Sequence, residues 1–185
     1  MQMQIFRRTG LGLLALGLTL STFAIFGCGS SDNETERNAA LFGFNERPTP
    51  NNSQGSGTAV LTISSDQTQI SYVLTYNGLA NVTQAHIHVG DANTAGPIIL
   101  FLCTNPSLGG GVPPPGAAGA QACPQGSSVT VTGTLTAIDL VTGPLVSAAG
   151  VNNFNDAVRQ LNNGNTYSNV HTQAFPAGEI RGQDL

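Results

Sequence analysis

Two short stretches hold most of the side chains able to form a chemical site. One is Ala85-His86-Ile87-His88-Val89-Gly90, with two of the chain's three histidines. The other runs from Tyr167 to Gln183, Y-S-N-V-H-T-Q-A-F-P-A-G-E-I-R-G-Q, and carries His171, Glu179 and Arg181. A strand repeats its side-chain direction every second residue, so His86 and His88 share one face, as do Tyr167, Asn169 and His171. His-x-His on a strand is a two-toothed ligand. A third imidazole from His171 completes a donor set suited to Zn(II), Cu(II) or Ni(II), with Glu179 as a fourth or supporting ligand. The competing reading ties the same histidines to backbone groups or to Glu179, in a polar network that fixes the sheet. Glu179 and Arg181 likewise read as an acid–base couple or, more simply, as a partly buried ion pair.

Other chemistries find less support. A hydrolase needs a nucleophile beside a base. Ser168 and Thr172 are near His171 in sequence but should face away from it, and there is no G-x-S-x-G. The chain has no Lys, which excludes phosphate-binding loops that depend on one. The glycine run at Gly109 leads into prolines rather than a helix, so it reads as loop.

The elements that must position these residues read as short strands. Phe175-Pro176-Ala177-Gly178 is a turn between Tyr167–Thr172 and Glu179–Arg181, which together make a hairpin. If odd positions pair with odd, Asn169, His171, Glu179 and Arg181 meet on one face. Upstream, Ala39–Phe44, Gly57–Ile63, Gln69–Tyr76, Val82–Val89, Pro97–Cys103 and Val129–Ile138 are rich in Val, Ile, Thr and Leu and bounded by Gly, Asn, Asp or Pro. One helix is expected, from Phe154, Val158 and Leu161 at helical spacing, with Asn153 or Asn155 as cap and Gly164 as stop. The pattern predicts an all-β, antiparallel sandwich or partly closed barrel with one short helix.

The ends and the cysteines speak to location. Arg7 and Arg8 precede an apolar run, Leu11–Ile25, of about fifteen residues, which is short for a membrane span and right for a signal segment. It closes on Ile25-Phe26-Gly27-Cys28, similar to a bacterial lipoprotein cleavage box. Residues 1–27 are then a signal peptide, Cys28 the lipidated residue, 28–38 a polar tether and 39–185 the domain. Gly29, rather than Asp, after Cys28 fits passage to the outer membrane. Export predicts a cell-envelope protein that partners the membrane through its lipid. Cys103 and Cys123 then form an even pair in an oxidising compartment, and a disulfide closing that Gly/Pro-rich loop contributes on the order of 3 kcal/mol. Without residues 1–27, four basic residues face ten acidic ones. A chain so acidic and free of basic clusters is a poor nucleic-acid partner.

Taken together, L-F-G-F-N-E-R-P (Leu41–Pro48), A-H-I-H-V-G, A-G-P-I-I-L-F-L (Ala95–Leu102) and G-N-T-Y-S-N-V-H-T…F-P-A-G-E-I-R-G-Q resemble the chordin-type (CHRD) domain across Ala39–Leu185. Arg47 departs from the family's usual apolar residue. The resemblance implies an extracellular immunoglobulin-like, Greek-key β-barrel and places Glu46, His86, His88, Asn169, His171, Glu179 and Arg181 at motif positions. It implies little about activity: in animal chordin such domains belong to a secreted antagonist of growth-factor signalling. A looser similarity is to Cu/Zn superoxide dismutase, with its His-x-His copper ligands, but the further histidines and the Asp of that zinc site are missing here. The expected function is therefore a non-catalytic binding or structural module at the envelope. A Cu- or Zn-binding lipoprotein is the alternative, with metal-dependent redox or hydrolytic catalysis the third reading.

Overall fold

The computed structural model describes residues 33–112 and 120–185. The stretch expected to be a signal segment (1–27), Cys28 and the start of the expected tether lie outside the described residues. Eight strands form one antiparallel sheet: β1 (Thr35–Phe42), β2 (Ser56–Ile63), β3 (Ile70–Asn77), β4 (Val82–Val89), β5 (Ile98–Thr104), β6 (Ser128–Leu135), β7 (Thr166–Thr172) and β8 (Ile180–Gln183). Their order is β5-β4-β7-β8-β1-β2-β3-β6. The two edges approach each other: Leu100 of β5 bridges Leu140 just beyond β6, and the Val141 N–H donates to the Ile99 carbonyl. The result is a nearly closed all-β barrel, as the strand pattern predicts.

Residues paired across an antiparallel ladder share a face, so the register sorts every side chain. Ile87 pairs with Ser168, and Val170 with Ala85 and Ile180. These point into the barrel, where Leu41, Leu61, Leu74, Ile87, Val170 and Ile180 belong to one buried apolar cluster. Each such side chain removed from water contributes roughly 1.5–3 kcal/mol. Helix α2 (Phe154–Asn162) adds Phe154, Ala157, Val158 and Leu161 to that cluster. Asn153 caps it by accepting from the Asp156 N–H at 3.0 Å, and Gly164, at φ +68°, turns the chain out. A five-residue helical turn, α1 (Pro144–Ala148), lies outside the predicted elements. Cys103 and Cys123 form the expected disulfide.

Several boundaries differ from the sequence reading, three of them for reasons the structure makes plain. Strand β1 begins at Thr35, inside the stretch read as tether, and Thr35–Asn38 pair with Ile63–Val60. Polar residues suffice there because the ladder is made by the main chain, and the Arg37 guanidinium donates to the Leu161 and Asn162 carbonyls at the end of α2. The same strand stops at Phe42, because Gly43–Asn45 form a 3-10 turn. Gly43 packs so tightly on Asn51 that an added Cβ would lie 2.2 Å from its Oδ1. Strand β6 stops at Leu135, where Thr136 and Asp139 form a capping box.

Candidate metal centre

Strand β4 carries His86 and His88 on its outward face, opposite Ala85 and Ile87. Strand β7 lies alongside it with His86 facing Asn169, His88 facing Tyr167 and Gln84 facing His171. Phe101 pairs with His86 from the other side. Outside the barrel wall there is thus a second buried layer, formed by alternate residues of β4, β5, β7 and β8 and built largely from polar side chains.

The three imidazoles converge. Ring centroids are 5.1 Å apart for His86 and His171, 5.5 Å for His86 and His88, and 6.2 Å for His88 and His171. One ring nitrogen from each lies within 4.8 Å of the others. Exposure is 0% for His86, 8% for His88 and 7% for His171. His88 Nδ1 donates to the Gly96 carbonyl at 2.9 Å and His171 Nδ1 to the Pro176 carbonyl at 3.0 Å. A carbonyl only accepts, so Nδ1 carries the proton in both rings and each Nε2 keeps its lone pair. Both Nε2 atoms are buried without a hydrogen-bond partner, as are both ring nitrogens of His86. Burial, with the neighbouring imidazoles, holds His86 well below the ordinary histidine range. Burial likewise brings His88 down to about 3 and lowers His171. All three rings are therefore neutral, the form that ligates metals.

The surrounding layer fixes these rings. Tyr167 stacks on His88, with centroids 4.7 Å apart and planes at 9°. On Tyr167 lies the guanidinium of Arg181, 3.4 Å from the ring centroid. Arg181 is almost fully buried and donates to the Asp91 and Thr94 carbonyls at 2.7 and 2.9 Å. Asn169 donates to Glu46 and to the Ile180 carbonyl. Burial pushes the Glu46 carboxyl up to about 7, against the opposing pull of the Asn169 bond and Arg181. Gly178, at φ +129°, has the Glu46 carboxylate where a Cβ would be, which accounts for the glycine in Phe-Pro-Ala-Gly. Beside His88 opens a cavity of about 500 Å³, lined by Pro97, Ile98, Val141, Leu145 and Val146 among others.

Two expectations about Glu179 do not hold. It accepts from Ser53 Oγ at 2.6 Å and from Thr172 Oγ1, on the far side of the wall from the histidines. It is neither a fourth ligand nor an ion-pair partner of Arg181, and among the described residues the one salt bridge joins Arg159 to Asp156. The physical reason lies in its position. Glu179 precedes the start of β8 at Ile180, where ladder alternation no longer sets side-chain direction, and two hydroxyls await it on the other side. Glu46, Asn169 and Arg181 do come together. Ser168 and Thr172 face away from His171 as predicted, bonded to Asp184 and Glu179. Sequence reasoning missed Phe101, hidden in an apolar run, although its alternation with Leu100 and Leu102 was a usable signal.

The fold and site together define an all-β barrel with a buried cluster of neutral imidazoles on its outer wall. The CHRD domain family matches residues 37–183, most of the chain, and the protein belongs to that family. No curated protein and no solved structure matches it.

Proposed function

We propose that this CHRD domain is a non-catalytic binding module whose ligand is a transition-metal ion held by His86, His88 and His171. One observation carries the reading: three neutral imidazoles converge with buried, unpartnered nitrogens. Leaving a buried polar atom unpaired costs about 1–3 kcal/mol, so a network serving only the fold would have paired them. The carbonyls on His88 and His171 orient the free nitrogens, as outer partners of metal ligands do. A binding role is preferred to a catalytic one because the nearby hydroxyls of Ser168 and Thr172 are engaged on the other face.

The proposal extends to place. The Arg7–Cys28 pattern supports an exported protein anchored at the envelope by a lipid on Cys28, facing the periplasm or cell surface. Incorporation of labelled fatty acid, lost in Cys28→Ala, tests the anchor; unchanged labelling in that variant overturns it.

Metal content and titration of protein purified without a histidine tag test the site. About one equivalent of copper or zinc is expected, lost separately in His86→Ala, His88→Ala and His171→Ala while circular dichroism stays that of a β protein. Undiminished binding in the three variants would refute the assignment.

A further inference from the structure

The metal reading leaves the ion and its charge open. Imidazole serves zinc and copper alike, so the donor atoms alone do not choose. The surrounding charges do. Three neutral imidazoles bring no charge to the ion. Glu179 is held by Ser53 and Thr172, and Glu46 by Asn169, so neither carboxylate belongs to the converging group. The cation of Arg181 lies over Tyr167, which in turn stacks on His88, so a positive charge stands behind one ligand. Arg181 and an ionised Glu46 cancel at best. A divalent ion would therefore keep two positive charges that no protein group compensates, a monovalent ion only one, and unpaired buried charge is strongly disfavoured.

Coordination number points the same way. Three imidazoles leave Zn(II) one ligand short, a place that only a water or hydroxide from the adjoining cavity could take. Cu(II) prefers tetragonal surroundings, whereas Cu(I), a monovalent d10 ion, is satisfied by three donors. The ring of Phe101 packs edge-to-face on His86, with centroids 4.3 Å apart. The cavity beside His88 is lined by Gly96, Pro97, Ile98, Val141, Val146 and their neighbours, with no charged side chain to act as an anionic fourth ligand.

We propose that the His86–His88–His171 centre is a three-coordinate site selective for Cu(I) over Zn(II) and Cu(II). This rests on the metal-binding reading above. The test is an anaerobic competition on the full chain, with Cu(I) against a chromophoric Cu(I) chelator and Zn(II) and Cu(II) against chelators of their own. Ascorbate rather than a thiol serves as reductant, so that Cys103–Cys123 stays closed. One equivalent of Cu(I) is expected, bound at least roughly 100-fold more tightly than Zn(II). His171→Ala should lose it while Cys28→Ser keeps it. Zn(II) or Cu(II) held as tightly as Cu(I) overturns the selectivity and leaves the metal reading standing. Cu(I) retained in His171→Ala overturns the three-coordinate site, and failure to hold any of the ions overturns both.

Discussion

On the inward side of β7, Thr166 and Ser168 donate to the two oxygens of Asp184, at 2.9 and 2.8 Å, within the barrel. On its outward side, three residues past Ser168, His171 joins His86 and His88 with ring nitrogens that no protein group meets. Both clusters are buried, and strand β7 contributes to both. The inward cluster matches each hydroxyl to an acceptor and so closes on itself. The outward cluster satisfies only the atoms that orient the rings and leaves free those that could meet a ligand. Burial of polar groups is thus not one phenomenon in this barrel, and the bookkeeping of partners separates a group that serves the fold from one that serves a function.

Substitutions can break that contrast. The largest effect is expected from Asp184→Ala, which strands two buried hydroxyls; chemical denaturation at pH 5 should show a loss of roughly 3–4 kcal/mol. A loss below about 1 kcal/mol would mean the inward cluster does not hold the fold.

The inward cluster should also show itself in pH dependence. Burial raises the Asp184 carboxyl from 3.8 to about 6, despite the two hydroxyl bonds. The folded state therefore keeps a proton that the unfolded chain has released, so this contribution to stability is present below pH 4 and is lost as pH rises to 6. It amounts to something on the order of 3 kcal/mol. Subtracting the stability–pH curve of Asp184→Asn from that of the parent isolates it from Glu46 and the histidines. A flat difference curve would contradict the assignment.

The outward cluster should respond with the opposite sign. His86→Leu removes two unpartnered ring nitrogens from a buried position, so metal-free protein should be unchanged or gain up to about 2 kcal/mol, while metal binding is lost. Marked destabilisation of the metal-free form would assign the histidines to the fold instead. The smallest effect should come from Arg159→Ala at the exposed ion pair with Asp156, under about 1 kcal/mol by thermal melts.

Much of this arrangement was legible in the sequence. Alternation alone placed His86 and His88 on one face and Tyr167, Asn169 and His171 on another, because inside a regular strand direction depends only on position. The helix, its cap to within Asn153 or Asn155, and the disulfide were legible for equally local reasons. Glu179 was not, since it stands one residue before β8 and its direction is set by Ser53, distant in sequence. Thr35–Asn38 looked like tether because their pairing is made by main chain, which leaves no trace in side-chain type. Asp184 belongs to no motif, and only the register that brings Gly182 opposite Ser168 reveals its partners.

The central claim is that three imidazoles bind one ion, and X-ray absorption on metal-loaded protein addresses it most directly. The account predicts a first shell of three nitrogens at about 2.0 Å with the outer-shell scattering of imidazole rings. A shell of oxygens, or one showing a single imidazole, would contradict it.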